Sequence, residues 1–276
     1  MPKGTLRDRL NRLRRDIGLY GLYDAGRLNA IPLSNRLLVE RVLRRTAMPS
    51  LYRFLVDGTR FHCSAASLVS TIQPTWPGTD LAAIEAEFRA LMNELQARYD
   101  RLKTSTTNYP QEWAIEPEAS LLLYSAVRLT RPQLVIETGV ANGQSTFLIL
   151  RALRENEAGR CVSIDLSDTV GGLLTEQDRS DWQLKVLGRS RARRDFSRVI
   201  AEFSNIDVFV HDSEHTYSWQ TFEYQTIFQR LSPTGILISD DVDSSYAFLD
   251  FCRFVDRSPA ILLGRTKALG MLTSAS

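Results

Sequence analysis

The chain has 276 residues, 43% hydrophobic and 24% charged, which is ordinary for a soluble globular protein. No apolar run approaches the roughly 20 residues that span a bilayer, no apolar stretch follows the basic N-terminus as a secretory signal would require, and three scattered cysteines (Cys63, Cys161, Cys252) make neither a disulfide framework nor a metal knuckle, so a reducing cytoplasm is expected. The net charge of +2 hides an asymmetry: residues 1–50 hold 11 Lys and Arg against 4 Asp and Glu, and the remainder holds 23 against 28.

That basic segment reads as a solvated helix face packed on an acidic surface of its own chain or of a sister subunit; nucleic acid, an anionic membrane or an acidic partner are the alternatives. Helices are expected at about 5–17 and 34–45. A clearer one carries Leu81, Ile84, Phe88, Leu91, Leu95 and Tyr99 at spacings of three or four, the period of one helix face. The polar stretch 105–113, broken by Pro110, marks a boundary. It separates an N-terminal helical region, 1–107, from a second domain, 108–276.

From residue 115 the texture alternates. Pro117 opens a helix, where its missing N–H costs nothing. Strands are expected at 133–137, 161–165, 182–188, 206–212 and 235–241, with helices at 145–155 and at Tyr224, Ile227, Phe228 and Leu231. Residues 260–264 and 267–273 form a closing hairpin. Strands alternating with helices imply a doubly wound, Rossmann-like parallel sheet, here of seven strands.

Glu137-Thr138-Gly139-Val140-Ala141-Asn142-Gly143 joins the first of these strands to a helix, and Asp165 ends the next. Glycines let the chain turn sharply and let a ligand approach the backbone, and an acid at the second strand's end can accept from both ribose hydroxyls. The spacing is wrong for a dinucleotide, and Glu137 would repel a pyrophosphate while suiting a ligand with a cationic amino acid or sulfonium. Here the sequence resembles the class I S-adenosylmethionine-dependent methyltransferases. The resemblance implies that Glu137, Gly139 and Gly143 hold the methionine part and Asp165 the ribose. Residues 187–190, "LGRS", resemble the turn of small-molecule O-methyltransferases in which Ser190 would meet the adenine edge.

Asp212 ends the 206–212 strand and Asp240-Asp241 end the 235–241 strand. Neighbouring strands would bring three carboxylates into one crevice, where they repel unless protonated or balanced by a cation. Oxygen ligands suit magnesium, with manganese or calcium possible, and nothing suggests zinc. Asp212-Ser213-Glu214-His215 with Asp240-Asp241 resembles the metal-dependent O-methyltransferases of the catechol type, and more closely those acting on sugars and other secondary metabolites. The resemblance covers about residues 115–273. It implies Asp212, Asp240 and Asp241 as metal ligands, His215 as catalytic base, S-adenosylmethionine and a divalent ion as cofactors, and a small molecule with a hydroxyl group as acceptor. His211, one residue before Asp212, should lie beneath the site; Glu214 is left open, and Asp243 should shape the loop.

Three rivals stand beside this reading. A nucleic-acid methyltransferase would use the basic N-terminus and the run Arg189–Arg194, but has no use for the acidic cluster. A nicotinamide oxidoreductase lacks its third glycine. A relative that keeps the fold and reacts differently is also open. The N-terminal helices are expected to cover the active-site mouth or to build a homo-oligomer interface, with Tyr109 and Trp113 able to line an acceptor pocket.

Overall fold

A computed structural model describes residues 60–62, 64–72, 80–102, 109–264 and 267–274. Its strands are β1 (Arg60–His62), β2 (Leu134–Thr138), β3 (Arg160–Asp165), β4 (Trp182–Val186), β5 (Ile206–His211), β6 (Leu231–Ser239), β7 (Ala260–Leu263) and β8 (Ala268–Thr273). Its helices are α1 (Ala65–Ile72), α2 (Leu81–Leu102), α3 (Pro117–Thr130), α4 (Gln144–Asn156), α5 (Glu176–Ser180), α6 (Ala192–Ala201), α7 (Tyr217–Phe228) and α8 (Ala247–Phe254). One sheet runs in the order β1-β7-β8-β6-β5-β2-β3-β4. Only β8, among the described strands, lies antiparallel to its neighbours, β6 and β7.

Helices cover both faces of the sheet, and the strand sequences reflect it. Val135, Val208, Val210, Ile236 and Ile238 face a core built with α1, α2, α3 and α4. Their neighbours Leu134, Ile136, Phe209 and Leu237 face a second core with α6, α7 and α8. Successive strand residues point to opposite faces, so strands buried on both sides read as continuous apolar runs. The fold is the expected Rossmann-like one, with the predicted seven strands and closing hairpin.

Three details differ from the sequence reading. A short eighth strand, β1, pairs in parallel with β7, inside a region read as helical; three residues are too few to show a period. Leu231 continues the helical spacing of Tyr224, Ile227 and Phe228 but opens β6, because Pro233 cannot extend a helix and the register shifts between Ile206 and Val208 where the strand begins. Helices α5, α6 and α8 add to those expected.

The expected helices at 5–17 and 34–45, Cys63 and residues 105–108 of the boundary segment lie outside the described residues. Within them, α1 and α2 share an apolar core with α3 and α4. No helix among them is long and apolar enough to cross a membrane.

Candidate active site

The carboxyl ends of β2, β3, β5 and β6 meet at one edge of the sheet. The ladder continues past the strands: Asp212 N–H donates to Thr138 O at 2.9 Å, and Asp240 N–H to His211 O at 2.9 Å. Loops above these ends enclose a cavity of about 740 Å³, within the roughly 300–1,000 Å³ common for small-molecule sites.

The glycine turn forms one wall. Gly139 has φ +80°, and a Cβ there would sit 2.0 Å from the carbonyl oxygen of Asp212. Only glycine lets the turn pass so close to the end of β5. Asp165 stands opposite. Its Oδ2 accepts from Val140 N–H at 2.9 Å, and its Oδ1 from Leu166 and Ser167 N–H at 2.6 and 3.0 Å. Three backbone donors fix this carboxylate at the cavity wall, and it keeps lone pairs for further donors. Ile164, Leu166 and Leu187 add an apolar slot beside it.

Other predicted cofactor residues sit elsewhere. Glu137 is fully buried beneath the turn, and its Oε2 accepts from Thr146 and Ser163 hydroxyls, each at 2.6 Å. Burial pushes its carboxyl up; hydrogen bonds from Ser145, Ser163 and Thr146 oppose that shift without cancelling it. Gly143, at φ +89°, opens α4 and packs on Gly171 rather than on the cavity. Ser190 is exposed and lines a separate open depression with its arginine neighbours and Trp219. Leu187 and Arg189 from that turn reach the main cavity instead.

Asp212, His215 and Asp241 line the cavity together. The His215 ring spans two carboxylates, with Nδ1 3.2 Å from Asp241 Oδ2 and Nε2 3.7 Å from Asp212 Oδ1. Asp240 lies just beneath, with a side chain only 3% exposed. Burial and then the charge of Asp240 push the Asp212 carboxyl well above its usual range, with Lys267 opposing; burial and then Asp241 raise Asp240.

Sequence reasoning missed two residues. Lys267, just before β8, places Nζ 3.1 Å from Asp240 Oδ2 and 3.7 Å from Asp241 Oδ2. Burial would lower its pKa, but Asp240, Asp241 and Asp212 together outweigh burial and raise it. Glu223, on α7, gathers four donors. Its Oε2 meets His211 Nδ1 at 2.7 Å and Thr138 Oγ1 at 2.8 Å; its Oε1 meets Ser213 Oγ at 3.0 Å and Trp219 Nε1 at 2.6 Å. Both Glu223 and His211 are buried, so His211 supports the site from below. A signal for Glu223 existed: with Gln220, Tyr224 and Ile227 it lies on the buried stripe of α7.

The expected magnesium set does not assemble. Among the described residues, no three His, Cys, Asp or Glu side chains gather as metal ligands do, and the cation beside Asp240 and Asp241 is the Lys267 ammonium. The residues therefore do not fit a divalent ion as they stand. Glu214 is exposed at the cavity rim. Asp243 is buried and accepts from Ala268 N–H at 2.9 Å, shaping the loop. Tyr109 and Trp113 line the cavity with rings 5.8 Å apart. Tyr109 is strapped to the glycine turn by reciprocal bonds with Asn142, at 2.9 and 2.8 Å.

Residues 136–242 match a family model described as a methyltransferase domain. The match runs from β2 through the turn after β6, so the matched segment holds the glycine turn, Asp165, Asp212, His215 and Asp241. Over these residues the chain is therefore similar to methyltransferases, in line with the resemblance that its sequence motifs suggest. No protein of curated function matches the sequence. Among solved structures, a methyltransferase from Geobacter sulfurreducens is 18% identical, covering 76% of this chain and 96% of its own, with a TM-score of 0.48. An O-methyltransferase from Bacillus cereus, in complex with SAH, is 13% identical over 75% and 97%, with a TM-score of 0.47. The O-methyltransferase TomG from Streptomyces achromogenes, involved in tomaymycin synthesis and in complex with SAM, is 16% identical over 75% and 96%, with a TM-score of 0.47.

Proposed function

We propose that the protein moves a methyl group from S-adenosylmethionine to a hydroxyl oxygen of a small molecule such as a sugar, glycoside, polyketide or catechol-like compound. The observation that carries this reading is the sharing of one cavity by Gly139, Asp165, Asp212, His215 and Asp241. It joins a nucleoside-type wall to a proton-accepting wall.

On the first wall, Asp165 accepts from the ribose hydroxyls, Ile164, Leu166 and Leu187 flank the adenine, and Gly139 admits the cofactor to the backbone. Glu137, buried below, supports the turn and sets the charge beneath the methionine part. S-adenosylmethionine, when bound, supplies a methyl group on a cationic sulfur. On the second wall, His215 takes the acceptor's proton. Its Nδ1 is held by Asp241, which leaves Nε2 to receive the proton beside Asp212. Asp241 then steadies the imidazolium by direct contact, a charge-assisted hydrogen bond. Tyr109 and Trp113 shape the acceptor end and keep water out. Glu223 and His211 fix the end of β5 from beneath. The magnesium ion is left out of this reading, since Lys267 already stands beside Asp240 and Asp241.

Incubation with S-adenosylmethionine and a panel of vicinal diols, followed by S-adenosylhomocysteine release, tests the reading. Release with at least one diol is expected. Tight cofactor binding without release from any diol would overturn the acceptor class and leave the cofactor assignment intact.

A further inference from the structure

Three carboxylates converge at the ends of β5 and β6, and the helix-side wall adds a histidine. Such a group needs a cation close by, or its members give up charge. The chain provides one covalently. Lys267 sits on the short β7–β8 hairpin, at the sheet edge where β6 ends, and reaches the cavity wall with 16% of its side chain exposed. One hydrogen bond, at 3.1 Å, ties Nζ to buried Asp240. Asp241 lies at 3.7 Å. An ammonium has three donors, so the bond to Asp240 leaves donors for the cavity.

We propose that Lys267 is the resident cation of this site, taking the place that a divalent metal ion would hold between Asp240 and Asp241. The site therefore functions without a divalent ion. A magnesium ion would need the carboxylate oxygens that Lys267 engages and would meet a fixed positive charge within ion-pairing distance. An ammonium is a point charge that cannot chelate two oxygens of an acceptor as a metal can, so the acceptor need not be a chelating diol. This last consequence rests on the methyl-transfer reading; the metal competition does not.

The test uses the full chain and Mn²⁺, followed by electron paramagnetic resonance. Wild type is expected to show no saturable Mn²⁺ binding up to about 1 mM, the upper range of weak cation sites. Lys267→Ala, checked by its melting curve, is expected to gain saturable binding, at least about tenfold tighter, because the ammonium no longer engages the Asp240 and Asp241 oxygens that a cation would need. The gain should vanish in the double variant with Asp240→Asn. Stoichiometric Mn²⁺ binding by wild type that is lost in Asp240→Asn alone would overturn the proposal, and it decides the matter even if Lys267→Ala does not fold. A parallel titration with S-adenosylhomocysteine keeps a failure of the cofactor assignment distinguishable from a failure of this proposal.

Discussion

At Gly139, a single methyl group would collide with the carbonyl oxygen of Asp212 at 2.0 Å, on a backbone already at positive φ. Gly139→Ala is expected to lose about 1–3 kcal/mol from backbone strain alone, with a lower melting temperature and weakened cofactor binding; thermal melts with and without S-adenosylhomocysteine check this. His215→Gln should keep fold and cofactor affinity while losing roughly 10²–10⁴-fold in turnover, the usual worth of a general base. Unchanged turnover at neutral pH would remove His215 from the reaction. Glu223→Ala leaves the buried His211 ring nitrogen without its hydrogen-bond partner and should cost about 1–3 kcal/mol, a fall on the order of 5 °C in melting temperature. Residues that punctuate strand ends were legible: Gly139, Asp165, Asp212 and His215 follow apolar runs, and the sheet rule places them together. Lys267 was not. It lies 27 residues beyond Asp240, in a hairpin whose pattern reports only strand burial, and no period links it to the acidic pair. At the turn matched by a short motif, Leu187 and Arg189 reach the cavity and Ser190 is exposed beside it.

Between elements, a buried polar tie joins α2 to α5 and the loop before it. Arg98, with 4% of its side chain exposed, meets Asp178 at 2.5 Å, Leu173 O at 2.7 Å and Glu94 at 2.6 Å, and lies 4.4 Å over the Phe147 ring. Burial pushes the Asp178 carboxyl up, but hydrogen bonds from Arg98 and Thr175 outweigh burial and hold it below its ordinary value. A depressed folded pKa stabilises the fold fully above the unfolded value of about 3.9, and this is lost as pH falls through the folded value. Arg98→Ala is expected to cost about 3–5 kcal/mol at pH 7, with the gap to wild type narrowing below about pH 3; urea melts at the two pH values measure it. Equal gaps at both would detach Asp178 from the effect. Element existence was legible because both sheet faces are covered, which turns each strand into an apolar run. Element ends were less so. The helical period ran on through Leu231, past the true end of α7 at Phe228, because packing against one core repeats at three or four residues whether or not the backbone stays helical.

Across the whole molecule, Gly139, Asp165, Asp212, His215 and Asp241 share one cavity at the carboxyl edge of a doubly wound sheet, where such folds bind ligands. Helices α1 and α2 pack into the same core as α3, α4 and the sheet, so they brace the sheet that carries the cavity. The fold alone does not set the reaction; the cofactor does. The most direct measurement is therefore calorimetric titration of the full chain and of Asp165→Ala with S-adenosylmethionine and, separately, NAD. The expected result is stoichiometric binding of S-adenosylmethionine by wild type, weakened at least about tenfold in Asp165→Ala, a loss of roughly 1.4 kcal/mol or more, and no binding of NAD. Binding of NAD without S-adenosylmethionine, or an affinity indifferent to Asp165, would contradict the assignment of the cavity.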